Sequence, residues 1–151
     1  MASAYVDALK MLGRRELSEA QIRQRLDRRG HDEPEIEAAV ARLKEERAID
    51  DARVAGAIAR TEVMRKRGRL RVSRQIQSIG IAASVAKGAV DQVFESIDDD
   101  SLLEAALAKR LKGRERAADD REWQRIYRYL LGQGFEADRV AKAMRGKRPR
   151  D

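Results

Sequence analysis

Three glycines set the frame of this chain. Gly30, Gly80 and Gly134 stand 50 and 54 residues apart, and one apolar skeleton recurs around them. Four positions before them are Leu26, Ile76 and Leu130, and eight before are Ile22, Val72 and Ile126. One position after are His31, Ile81 and Phe135, and six after are Ile36, Ala86 and Val140. Ten after come Val40, Val90 and Met144. Steps of four put the apolar residues on one helical face, on either side of each glycine. The glycine itself supplies a left-handed end to one helix before the next begins. Each unit therefore reads helix, helix, glycine turn, helix. One such trio alone buries too little, and stacked neighbours extend the core. The expected fold is all-α: three tandem three-helix repeats stacked into an elongated, curved array. The expected boundaries are 1–48, 49–98 and 99–146, with 147–151 as a basic C-terminal tail. The weak points of the skeleton are His31 and Ala86.

Local signals agree with the periodicity. The chain holds two prolines, Pro34 and Pro149, and is rich in good helix formers. No run of β-branched residues alternates with period two. Helices are expected near 4–12, 19–29, 33–46, 51–66, 69–79, 83–97, 101–112, 120–132 and 137–145. Ser18 and Gln21 make a capping box, with Leu17 and Ile22 as a hydrophobic staple. Asp32 and Glu35 make a second box, stapled by His31 and Ile36, and Pro34 falls in the first turn. Asp50 starts a further helix, stapled by Ile49 and Val54. The pair Asp50–Asp51 and the run Asp98–Asp100 precede helices, where acids cap free N–H groups, so they read as caps rather than as metal ligands. Alanine supplies 24 of the 151 residues, so large core formers are few.

Several function classes are excluded. There is no cysteine, hence no disulfide scaffold, no Cys-ligated zinc and no thiol nucleophile. His31 is the one histidine, too few for a multi-histidine centre. Phosphate-loop, dinucleotide, nucleophile-elbow and zinc-protease motifs are missing. We expect no enzyme, no cofactor and no metal. No stretch approaches the roughly 18 apolar residues of a membrane span, and the opening MASAYVDALK lacks the form of a secretory signal, so the expected location is the cytoplasm.

Charge points to a partner. The net charge is +7. From Val63 to Val90 there are seven basic residues and no acid, so this stretch equals the charge of the whole chain. Such a concentration is a handle for phosphate or an acidic protein surface. The candidate contact residues are Arg65, Lys66, Arg67, Arg69, Arg71 and Arg74. The competing reading is a helix-turn-helix protein that binds DNA directly. Against it, the third helix of the first unit, DEPEIEAAVARLKEE, is strongly acidic, and that of the second, AASVAKGAVDQVFESI, is small and apolar. Trp123, Tyr127 and Tyr129 are expected to be partly buried at a repeat junction, with Tyr129 the most exposed. Arg145, Lys147, Arg148 and Arg150 are expected to form a frayed tail.

The segment LKEERAIDDARVAGAIARTEVMRKRGRLRVSRQIQSIGI, residues 43–81, resembles the centre of the RecX family. Asp50, Asp51, Arg53, Val54, Ala55, Gly68, Ile76, Gly80 and Ile81 carry the likeness, with Val54 standing where that family usually has Phe. Arg14, Ser18, Leu26 and Gly30 resemble its opening motif, and RIYRYLLGQGF its third unit. The resemblance covers about residues 5–144. It implies three tandem three-helix repeats and a regulator of the RecA recombinase. It further implies a protein that binds the RecA–DNA filament and mostly restrains its ATPase, strand-exchange and coprotease activities. A monomer is expected from the residues rather than from the resemblance, because an array with polar terminal faces can stand alone. A weak, sequence-blind contact with DNA is expected alongside.

Overall fold

The structure, a computed structural model, describes residues 2–151. Its elements are α1 (Ala4–Leu12), α2 (Glu19–Arg28), α3 (Glu33–Glu45), α4 (Asp51–Met64), α5 (Arg69–Ser78), α6 (Ala83–Phe94), α7 (Asp99–Leu111), α8 (Asp120–Gly132) and α9 (Ala137–Arg145). Among the described residues there is no strand. Densely packed helix pairs all lie within a trio, α1–α3, α4–α6 or α7–α9.

The local signals act as the sequence suggests. Ser18 Oγ accepts the Gln21 N–H at 3.1 Å while Gln21 Oε1 accepts the Ser18 N–H at 3.0 Å. Asp32 caps α3 and Asp50 caps α4, but the expected second box does not close, because the Glu35 carboxylate accepts the Ala4 N–H instead of reaching back to Asp32. Asp98 caps α7, which starts two residues earlier than the periodicity indicates, because Asp99 and Asp100 join its first turn. α6 stops at Phe94 rather than near residue 97, since Phe94 closes the middle core and is fully buried.

All fifteen residues of the repeated skeleton are buried, none more than 5% exposed. Fourteen of them fall into three apolar clusters: Ile22, Leu26, Ile36 and Val40 in the first; Val72, Ile76, Ile81, Ala86 and Val90 in the second; Ile126, Leu130, Phe135, Val140 and Met144 in the third; the fifteenth is the buried polar His31. Each trio thus has its own small core. A single compact chain of 17.1 kDa would expose about 7,750 Å², whereas this one exposes 9485 Å². The excess is what an extended row of small cores leaves open to solvent.

The trios join by one repeated contact. The end of α5 meets the start of α2: Ser18 Oγ donates to the Ile79 carbonyl at 2.5 Å. The end of α8 meets the start of α5: the Gly68 N–H donates to the Gln133 carbonyl at 2.8 Å, and the Leu70 N–H to the Gly134 carbonyl at 3.1 Å. Helices α8, α5 and α2 therefore follow one another C-terminus to N-terminus. At both contacts the turn glycine has φ near +90°, and a Cβ there would strike the next trio: Ala20 at Gly80, the Arg71 backbone at Gly134. Glycine is required at these two turns by backbone angle and by contact alike.

The end-to-end order also explains where the charges sit. α2 has Arg25 and Arg28 in its last turn, and α8 has Asp120 and Glu122 in its first. Those two ends face solvent, where side chains complement the helix dipole. α5 carries neither an acid in its first turn nor a base in its last, and no side chain caps it. Its ends are met by the neighbouring helices instead.

Two expectations about the third trio are corrected. The aromatic cluster packs within its own trio, not at a repeat junction: Trp123 Nε1 donates to the Met144 carbonyl at 2.9 Å, and Tyr129 lies under the Arg110 guanidinium at 3.6 Å. The tail is folded back rather than frayed. The Ala117 N–H donates to the Lys147 carbonyl at 3.0 Å, Arg116 Nη1 donates to the Arg148 carbonyl at 3.1 Å, and Arg148 stacks 4.0 Å above Trp123.

Candidate functional site

The basic stretch wraps the end of α4, the turn behind it and the face of α5. Arg65 and Lys66 form that turn, with Lys66 in the left-handed region at φ 62°. Gly68 begins α5 against the third trio, where a Cβ would lie 2.5 Å from the Gly134 carbonyl group. The six candidate residues are thereby split into two groups with different work.

Arg67, Arg69 and Arg71 hold the junction of the second and third trios. Arg67 Nη1 donates to Gln133 Oε1 at 2.8 Å, and Arg71 Nη1 reaches the same oxygen at 3.3 Å and the Gly132 carbonyl at 3.4 Å. Arg69 Nε donates to Asp99 Oδ1 at 3.1 Å, and its Nη1 lies 3.4 Å from Asp91 Oδ1. Its guanidinium also stacks 4.8 Å from the Phe94 ring. Lys87 Nζ, 2.6 Å from Asp91, holds that carboxyl below the usual range, and Arg69 adds to the effect. The acids missing from the linear stretch are thus supplied from Asp91 and Asp99.

Arg65, Lys66 and Arg74 face solvent more openly. Arg65 and Arg74 are exposed and Lys66 is half-exposed. Arg65 Nη1 lies 3.4 Å from Glu62 Oε1, and the buried Glu62 also sits 3.8 Å from Arg67 Nε. Lys66 and Arg74 have no ion-pair partner among the described residues. These three side chains make a cationic ridge next to the junction that the other three lock. Leu70 and Met64, both exposed, add apolar surface from the same turn and helix start.

Sequence reasoning missed one polar centre entirely. His31 fills its core slot as expected, and its Nε2 lies 2.7 Å from Asp7 Oδ2. Both residues are buried. Asp7 also faces Arg29 at 3.4 Å, while Glu35 Oε1 lies 3.4 Å from His31 Nδ1 and accepts the Ala4 N–H at 2.9 Å. The hydrogen bond to Asp7 raises the His31 pKa against the opposing effect of burial, and it lowers that of Asp7. The signal was Asp7 itself, an acid in step with Ala4, Ala8 and Met11, the face that the structure buries, whereas the apolar spacing of Tyr5, Leu9 and Leu12 points to the neighbouring face, where Leu9 is exposed.

Comparison with known proteins agrees with this architecture. Residues 4–43 match the family model for the first three-helix domain of RecX, and residues 98–144 match that for its third three-helix domain. The chain is 36% identical over 137 residues to the regulatory protein RecX of Halorhodospira halophila, covering 90% of this chain and 83% of the relative. It is 32% identical to the regulatory protein RecX of Chromohalobacter salexigens, covering 91% and 88%. Two crystal structures share the fold. One, of a regulatory protein RecX, has a TM-score of 0.78 at 21% identity, covering 93% of this chain and 70% of that one. The other, of RecX from Lactobacillus salivarius, has a TM-score of 0.75 at 18% identity, covering 92% and 90%.

Proposed function

The chain belongs to the RecX family of regulatory proteins, and from that premise we propose that it binds the RecA–DNA filament and restrains the filament's ATPase, strand-exchange and coprotease activities. The observation that carries this reading is the cationic ridge on a row of trios joined end to end. A filament presents the same surface again and again, and a stiff extended binder can touch several neighbouring protomers at once. Many modest contacts then add up through avidity. Bridging protomers favours whichever filament state fits the spacing of the trios, and that state need not be the one that turns over ATP.

Within this reading Arg65, Lys66 and Arg74 meet acidic side chains of RecA or the phosphates of its DNA, and steer the approach. Arg67, Arg69 and Arg71 act one step back, by fixing the angle between the second and third trios. The protein works as a monomer in the bacterial cytoplasm, where the filament forms. Among the described residues no helix is long and apolar enough to cross a membrane. Any effect on ATP turnover is exerted through the partner, because the family is one of non-enzymatic regulators.

The test is a titration of RecA's DNA-dependent ATPase with the purified chain and with the triple variant Arg65→Glu, Lys66→Glu, Arg74→Glu. Inhibition by the unsubstituted chain and its loss in the variant, with helical circular dichroism retained, support the reading. Equal inhibition by both removes the ridge from the mechanism. Tight binding to one duplex sequence without RecA would favour a direct DNA reader instead.

A further inference from the structure

A second cationic cluster lies outside the basic stretch, in the first trio, where the C-termini of α1 and α2 converge. Lys10, Arg14, Arg15, Arg25, Arg28 and Arg29 line an open cleft of about 560 Å³, with Met11 as the remaining lining residue and no acid among them. In the middle trio, Arg65, Arg67, Arg69, Arg71 and Lys87 all have carboxylate, amide or carbonyl partners. In the cleft only Arg29 has a carboxylate partner, Asp7 at 3.4 Å; among the described residues the other five form no ion pair.

Helix ends explain part of this arrangement and leave the rest over. A helix C-terminus carries about half a negative charge, so two of them and Asp7 together amount to about two. Six cations face them, an excess of about four positive charges in one concave site. That excess opposes folding by self-repulsion unless an anion enters. The composition of the site narrows the anion. Five of the six cations are arginines, whose planar forks pair with phosphate oxygens two at a time. No aromatic side chain lines the cleft, so it offers no stacking platform for bases. A chain of regularly spaced phosphates satisfies several guanidinium groups together, where a single small anion satisfies one or two.

We propose that this cleft binds the phosphodiester backbone of a nucleic-acid strand, without regard to base sequence. The site goes beyond the filament reading above and needs no RecA. It would hold a strand at the first trio while the middle ridge meets the filament.

The test is fluorescence anisotropy of a labelled oligothymidylate with the full chain and no RecA. Three variants are compared: Arg14→Gln, Arg25→Gln, Arg28→Gln in the cleft; Arg65→Gln, Lys66→Gln, Arg74→Gln on the ridge; and the cleft triple as Arg→Lys. Removing three phosphate contacts should weaken binding about tenfold or more and lower the slope of log affinity against log salt by about 2. The ridge triple, with the same loss of charge, should change affinity less than about threefold, and the lysine triple should retain the salt slope. Equal losses from cleft and ridge triples overturn the proposal, because net charge alone would then govern binding. No loss in the cleft triple overturns it outright. Competition by poly-glutamate matching that of unlabelled oligonucleotide would reassign the cleft to an acidic protein, and competition by inorganic phosphate at equal phosphate would reassign it to the free ion. Should the glutamine triple unfold, the unsubstituted chain still decides: the oligonucleotide protects Arg14, Arg25 and Arg28 from phenylglyoxal if they hold it, and leaves them reactive if they do not. All these readings are made without RecA, so they stand or fall apart from the ATPase result.

Discussion

At the scale of the residue, the informative position is His31. The repeated skeleton places Ile81 and Phe135 in the equivalent slots. Reading the slot as a packing position was correct, since the ring is buried. The partner was not legible, because Asp7 lies 24 residues away and only the fold of the first trio brings the two together. The consequence for stability has a definite sign. The hydrogen bond to Asp7 lifts the His31 pKa in the folded state, against the pull of burial. A group raised on folding contributes fully below its unfolded value, about 6.5, and the contribution is lost as pH rises through the folded value. Asp7, lowered by His31 with Arg29 adding, behaves oppositely: its contribution is present above the unfolded value and is lost as pH falls through the folded one. The pair is therefore strongest from about pH 4 to about pH 6.5. Glu35 and Arg29 also face the pair and do not reverse these signs. We expect the thermal midpoint to fall as pH is raised above about 6.5. The double variant Asp7→Ala, His31→Ile should flatten that dependence while staying folded, because a buried ion pair can be replaced by apolar side chains without net loss. Calorimetry of both proteins across this range checks it, and parallel pH curves would refute it.

At the scale of the element, α5 shows what linear charge counting sees and what it misses. The run from Arg65 to Arg74 was legible as a dense cationic feature, and its helix boundaries were legible from spacing. What could not be read was that Asp91, Asp99 and Gln133 would fold onto three of those arginines. An absence of acids along 28 residues says nothing about acids brought alongside in space. By the same logic the cleft at α1 and α2 was invisible, because Glu16, Glu19 and Asp27 interrupt its cations in the sequence. The glycine turns, in contrast, were legible as helix ends, though not as contact points between trios. That second role leads to a prediction. At Gly134 a Cβ would enter the Arg71 backbone, and φ is +95°. At Gly30 φ is +89° with nothing within 4 Å of a Cβ. Gly30→Ala should therefore show the backbone strain alone, about 1 kcal/mol. Gly134→Ala should cost more, about 2–4 kcal/mol, by adding the loss of the junction hydrogen bonds. Urea unfolding of the two variants measures the difference, and equal midpoints would mean that the junction contact carries no stability.

At the scale of the whole molecule, the question is whether the row of trios is stiff. Each trio has a core of its own, and the cores touch only lightly, through the partly buried Leu102 that packs against both the second and the third. Stiffness must come from the junctions. These combine two kinds of interaction that respond differently to salt. The ion pairs of Arg69 with Asp99 and of Arg53 with Glu16 are partly or largely exposed, and salt screens such pairs. The donations from Gly68 and Leu70 to the Gln133 and Gly134 carbonyls, and from Ser18 to Ile79, are short-range and lie where the glycine turns exclude side chains. Salt at moderate concentration leaves these in place. A compact chain of this length would have a radius of gyration of about 15 Å. Solution X-ray scattering should give a value several ångströms larger, as the extra exposed surface requires, and raising salt to about 0.5 M should leave it unchanged. Gly134→Ala should instead broaden the distance distribution at low and high salt alike, because it removes the salt-independent part of the junction. If salt alone broadened the distribution in the unsubstituted chain, the ion pairs would be what holds the trios in line. The protein would then be a flexible string whose grip on a filament depends on ionic strength twice over, once at the contact and once in its own shape.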